Sequence, residues 1–165
     1  MRLLEYLNHN AFKLWNVPYG DDVDYLIIES FNSNLTIEKV NGLFDFSTKW
    51  KANDSNYTFE AKKFNDNKWS VGFIKDNDFN FKKADTNKFT GDIFTGVFKS
   101  LKLLLEENIV NEISFSTDKT NTWLVDFYKG GIFKRYIEKH YKFKFKEECV
   151  MNGMLSWTYI NLKSC

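Results

Sequence analysis

The side chains of this sequence that can do chemistry are few and scattered. Asp85 and Glu60 lie on or beside segments of alternating polarity. A carboxylate on a strand can act as a general base when its neighbours hold it in reach, and is otherwise simply solvated. His9 and His140 are the only histidines, and neither has an Asp, Glu or Cys at a repeating ligand spacing, so no metal site is expected. Cys149 has no adjacent base and reads as a buried or idle thiol. From Lys134-Arg135 to Lys146 the chain interleaves cations with Tyr136, Tyr141, Phe143 and Phe145. That pattern suits either a strand gripping a phosphate backbone while rings stack on bases or an edge strand kept soluble by its lysines. A net charge of +1 gives no field to attract a polyanion, so the second reading is favoured and nucleic acid is not an expected partner. No G-x-S-x-G or P-loop signature is present.

The elements that must position these residues are more legible. Phe79, Phe81 and Lys83 alternate with Asn80, Lys82 and Ala84, the period of a strand. Asp92 then reads as the cap of a helix with Ile93, Phe94, Val97, Phe98, Leu101, Leu104 and Leu105 on one stripe; Glu106, Glu107 and Asn108 end it. A strand over 112–117 follows, with Ile113 and Phe115 on one side, and strand, helix and strand in this order predict a right-handed crossover between parallel neighbours. Before it, residues 25–31 read as a buried strand. Residues 35–50 read as a hairpin turning at Asn41-Gly42, and 57–64 with 68–75 as another around Asn65-Asp66-Asn67. After it, 122–139 reads as a helix broken at Gly130-Gly131, since two glycines inside a helix cost about 2 kcal/mol relative to alanine. Residues 142–150 and 155–162 form a closing hairpin at Asn152-Gly153, with Lys142, Lys144 and Lys146 on one face. Residues 1–8 suggest a short helix and 10–22 an ordered loop.

At 165 residues with one proline and no repeat or Gly/Ser run, the chain is expected to be a single domain over 1–165. Aromatics make up 18% of it, 17 Phe, 8 Tyr and 5 Trp, so the core is expected to be built from rings as much as from aliphatics. No apolar run approaches the roughly 18 to 20 residues of a membrane span, and MRLLEYLN lacks the apolar core of a signal peptide. Two cysteines, Cys149 and Cys165, are too few for a disulfide framework.

The order of elements resembles the GNAT superfamily of N-acetyltransferases. The segments MRLLEYLN, WSVGF, TGDIFTGVFKSLK, EISFSTDK and VDFYKGG are similar to a group of tailed-phage proteins with a GNAT-like core. The resemblance implies an α+β fold: a mixed, mostly antiparallel sheet with one β-α-β crossover, a second helix and a C-terminal hairpin. In active members, the loop entering the crossover helix carries Gln or Arg, two residues, Gly, one residue, and Gly or Ala, and its amides hold the pyrophosphate of acetyl-CoA. Here that place holds Thr90, Gly91, Asp92, Ile93, Phe94, Thr95 and Gly96. Thr90, Gly91, Asp92, Thr95 and Gly96 are thus the implied cofactor-binding positions. The basic or amide residue is missing, and Asp92 puts a negative charge near the phosphates.

Tyr128 falls where the superfamily often has a tyrosine that protonates the leaving thiolate, and Asp85 and Glu60, on or next to strands, could accept an amine proton, Asp85 being the candidate base; the alternative for Tyr128 is that its ring packs on the sheet. With the catalytic features weak, the expectation is a phage-type accessory or virion-associated protein, in the virion or the infected cell. It would use the fold for binding or assembly with a protein partner and need no cofactor. An acetyl-CoA-dependent N-acetyltransferase is the first alternative and a nucleic-acid-binding protein the second.

Overall fold

The computed structural model describes residues 34–42, 44–52, 54–76, 91–129 and 131–164. The expected elements at 1–8, 10–22, 25–31 and 79–84 lie outside these residues, as do His9, Asp85, Thr90 and Cys165. Among the described residues the strands are β1 (Glu38–Lys39), β2 (Phe46–Ala52), β3 (Ser55–Phe64), β4 (Lys68–Lys75), β5 (Glu112–Asp118), β6 (Phe143–Met151) and β7 (Met154–Asn161). They form one sheet in the order β1-β2-β3-β4-β5-β7-β6. Every neighbouring pair is antiparallel except β4 with β5. The long helix α1 (Gly91–Glu107) lies between those two in the chain. This is the mixed, mostly antiparallel α+β sheet with one crossover that the GNAT resemblance implies.

The crossover nevertheless joins a different strand from the one expected. The parallel neighbour of β5 is β4, with Lys68 opposite Glu112 and Val71 opposite Phe115, whereas the sequence reading gave that place to 79–84. Among the described residues β5 has β4 as its parallel neighbour over 112–115 and β7 as its antiparallel one, while 79–84 lies outside them.

Side chains alternate across the sheet as the pleat requires. Trp50, Tyr57, Phe59, Trp69, Val71, Phe73, Ile113, Phe115, Trp157 and Tyr159 are buried on the face that receives α1, whose Val97, Phe98, Leu101 and Leu104 are also buried. The opposite face carries Ser47, Glu60, Ser70, Gly72, Ser114, Ser116 and Thr158, in register across neighbouring strands. Stacked rings of Trp50, Tyr57 and Phe73, with centroids 5.6–6.0 Å apart, bear out a core built from aromatics.

The hairpins divide between those foreseen and one that is not. Asn152 (φ 51°) and Gly153 (φ 79°) join β6 to β7 with both turn residues in the left-handed region, as expected. Asp66 and Asn67 take positive φ between β3 and β4. The Asn41-Gly42 turn does not form as a two-residue loop: β1 pairs with β2 through Lys39 opposite Thr48, and the Val40 amide donates to the Ser47 carbonyl at 3.0 Å, leaving six residues between. The tight turn lies instead after Ala52, opposite Ser55, with Asp54 at φ 62°.

Beyond β5 the second helical stretch is described as α2 (Thr122–Lys129) and α3 (Gly131–Arg135); the break expected at Gly130-Gly131 falls on residue 130, outside the described residues. A π-helical turn over Tyr136–His140 follows, which the sequence did not announce. Tyr136 is fully buried there, packing on Phe98 at 4.2 Å and donating to the Phe98 carbonyl at 3.2 Å.

Candidate active site

The site is defined by where two strands part. β4 pairs with β3 from Lys68 to Lys75, and β5 pairs with β7 from Glu112 to Asp118. β4 and β5 pair with each other only from Lys68–Glu112 to Val71–Phe115. Past that point residues 72–75 and 116–118 have outer partners but no mutual ladder, and the sheet opens at the carboxyl ends of its one parallel pair. In open sheets with parallel strands this is where ligands bind, because backbone groups turned toward the gap still need hydrogen-bond partners. Thr117 lies on this free stretch and is buried, and its Oγ1 has no hydrogen-bond partner.

α1 is the helix that follows the gap. Its described part runs from Gly91 and includes Asp92, while Thr90 and the residues before it lie outside the described residues. A helix that begins near Gly91 leaves its first amides without intrahelical partners, an end that favours an anion. Thr95 and Gly96 are committed elsewhere. Thr95 is 1% exposed, and a Cβ on Gly96 would stand 2.0 Å from Trp50 Cε2. Gly96 is therefore a contact point between α1 and β2. A buried polar thread holds the same contact: Thr48 Oγ1 donates to Ser100 Oγ at 2.6 Å, and Ser100 donates to the Gly96 carbonyl at 2.7 Å.

Tyr128 is 2% exposed, and its ring packs on Phe115 (5.6 Å), Phe133 (5.3 Å) and Trp157 (5.5 Å). Burial pushes its hydroxyl well above the ordinary tyrosine value, so it stays protonated. Phe115 is the last residue of β5 paired to β4, which sets Tyr128 beside the gap on the helix-bearing face.

On the other face the gap opens into a cavity of about 220 Å³ that Glu60, Ser70, Gly72 and Ser116 help to line. Glu60 stands opposite Gly72 on β4 and Ser47 on β2. Its Oε2 is enclosed and has no hydrogen-bond partner, and burial raises its carboxyl above the usual range. In the sequence Glu60 is one carboxylate among many; its distinction comes from Gly72, which puts no side chain across from it.

The basic-aromatic run is not one continuous cationic face. β6 begins at Phe143, after Lys142 at φ 60°, and its register shifts between Phe145 and Glu147, which ends the expected alternation of lysines. Lys146 pairs with Glu112 at 3.3 Å and Lys129 with Glu148 at 3.2 Å. Cys149 is an exposed free thiol. Among the described residues no group of three His, Cys, Asp or Glu side chains is placed to hold a metal, and no helix is long and apolar enough to cross a membrane.

No family model matches the chain, and no curated protein matches it either. Among solved structures it is similar to the Microcin C7 self immunity acetyltransferase MccE in complex with acetyl-CoA and AMP. That likeness has 10% identity and a TM-score of 0.41, covering 96% of this chain and 83% of that one. It is also similar to a GNAT-family acetyltransferase from Streptococcus pneumoniae, at 13% identity and a TM-score of 0.32, covering 92% of this chain and 93% of that one.

Proposed function

We propose that this protein transfers an acyl group from a coenzyme A thioester to an amine. The observation that carries the reading is the gap between β4 and β5. An extended arm bearing amides can lie there and pair with the strand backbone turned toward the gap, and the unpartnered Thr117 hydroxyl suits such a guest. The start of α1 fits the phosphate end only in part: the first-turn amides favour an anion, but Asp92 opposes it and Gly96 serves packing. Acetyl-CoA is thus expected to bind weakly.

The bound thioester supplies the activated acyl carbon. Glu60 is the candidate base on one face of the gap: burial raises its carboxyl above the ordinary value, which makes it a better proton acceptor than a solvated carboxylate. It accepts the proton that the amine loses as the C–N bond forms and the C–S bond breaks. Tyr128, protonated and beside the gap on the other face, is the candidate donor to the departing sulfur. A role in binding or phage assembly, favoured by the sequence alone, falls to second place because assembly calls for neither a parted strand pair nor an enclosed, unpartnered carboxylate.

Calorimetry with acetyl-CoA, followed by thiol release with a panel of amines, tests the reading. Binding in the micromolar to millimolar range, with turnover lost in Glu60→Gln and reduced in Tyr128→Phe, supports it. The absence of both binding and thiol release at millimolar acetyl-CoA contradicts it.

A further inference from the structure

The cavity at Glu60 carries more information than the presence of a base. Phe44, Phe64 and Met154 line it together with Gly72, Ser70 and Ser116, and the three large apolar side chains are exposed at their outer sides, so the cavity has an apolar mouth. Lys62 lines the same cavity, with its ammonium 5.4 Å from the centre of the Phe64 ring.

Three constraints on a guest follow. The enclosed Oε2 lacks a partner, and a buried acceptor is stabilised most by a charged donor. The apolar mouth favours a hydrocarbon segment next to that donor. The Lys62 ammonium makes a second positive charge on the guest unwelcome. The size is limiting as well, since 220 Å³ equals about seven waters at liquid density and lies below the roughly 300 Å³ at which pockets enclose whole drug-sized ligands. Gly72 and Ser116, which line this cavity, are the first residues past the last paired position, Val71 opposite Phe115. A nitrogen held at Glu60 therefore stands at the opening between the strands.

We propose that this cavity is the acceptor site and that it takes a small primary monoamine on an apolar body, in preference to polyamines and other multiply charged amines. The proposal rests on the acyl-transfer reading for the role of the site, but the binding of the amine is separable from it.

Calorimetric titration without any thioester tests the proposal. The probes are phenethylamine, 1,5-diaminopentane and the uncharged 2-phenylethanol, each titrated into the full chain, Glu60→Gln and Gly72→Val. Phenethylamine is expected to bind the parent at least tenfold more tightly than either other probe. Glu60→Gln should lose at least tenfold in that affinity, and Gly72→Val, which fills the cavity, should lose it entirely while still melting cooperatively. Equal binding of phenethylamine by parent and Glu60→Gln, diamine binding as tight as monoamine binding, or no binding of phenethylamine by the parent would each overturn the proposal. Amine binding that follows the expected pattern in a protein that ignores acetyl-CoA would uphold this site and sink the transfer reading.

Discussion

Replacing Gly96 by alanine separates packing from ligand binding at the start of α1. A new Cβ would lie 2.0 Å from Trp50 Cε2, 2.3 Å from Nε1 and 2.4 Å from Cδ2, whereas carbon atoms rest about 3.5 Å or more apart. The helix or the indole must yield by about 1.5 Å. The indole stacks against both Tyr57 and Phe73, so the helix is expected to move. Overpacking of this kind costs about 1–3 kcal/mol, and lifting α1 also strains the Thr48–Ser100–Gly96 hydrogen bonds, each worth about 1 kcal/mol. Against this, alanine gains about 1 kcal/mol over glycine in helix propensity. The net expectation is a loss of about 1–3 kcal/mol, read from urea unfolding midpoints. Trp50→Leu removes the obstacle at its own cost, and the double variant should then be less destabilised than the sum of the singles by about 1 kcal/mol or more. A Gly96→Ala protein more stable than the parent, with effects additive to within about 0.5 kcal/mol, would refute the packing role.

Other expectations follow from the same geometry. Leu101 is fully buried, so Leu101→Asp should abolish cooperative unfolding in a domain of about 5–15 kcal/mol total stability; a parental melt would show α1 to be misplaced. Glu60 titrates above its ordinary value of 4.5 because of burial. Its stabilising contribution is therefore complete below 4.5 and is lost as pH rises through the higher folded value. The stability difference between parent and Glu60→Gln should shift in the variant's favour across that interval, and a pH-independent difference in urea midpoints would contradict the burial of the carboxylate. Two like charges about 4 Å apart repel by roughly 1 kcal/mol in water and 4 kcal/mol near a protein surface. Asp92→Asn should accordingly bind acetyl-CoA at least about fivefold more tightly than the parent by calorimetry; unchanged affinity would place the phosphates away from α1.

The long-period and short-period patterns made much of the fold readable. The stripe from Ile93 to Leu105 and the alternation in 112–117 each depend on residues near in sequence, as does the Asn152-Gly153 turn. What stayed hidden depends on residues far apart. The parallel partner of β5 is decided by which edge is free when the sheet assembles, and 68–75 and 79–84 both alternate, so the pattern could not choose between them. Asn41-Gly42 carries the stronger hairpin signal, yet pairing is fixed by Phe46, Thr48 and Trp50 facing the core, which moves the tight turn to Asp54. Gly96 looked like a phosphate-loop glycine because its use by Trp50 lies 46 positions away in the chain. The rings that Tyr128 packs on, Phe115, Phe133 and Trp157, come from three different elements, which no local pattern brings together. Glu60 gains its interest from Gly72 and Ser116, and no local pattern links the three.

The opening between β4 and β5 is most directly tested by titrating acetyl-CoA into isotope-labelled protein and following backbone amide resonances. The account predicts saturable shifts concentrated in residues 72–75 and 116–118 and in the first turn of α1 at Gly91–Ile93, with the paired stretch 68–71 and 112–115 moving little. An absence of shifts at millimolar acetyl-CoA, or saturable shifts confined to other parts of the sheet, would contradict it.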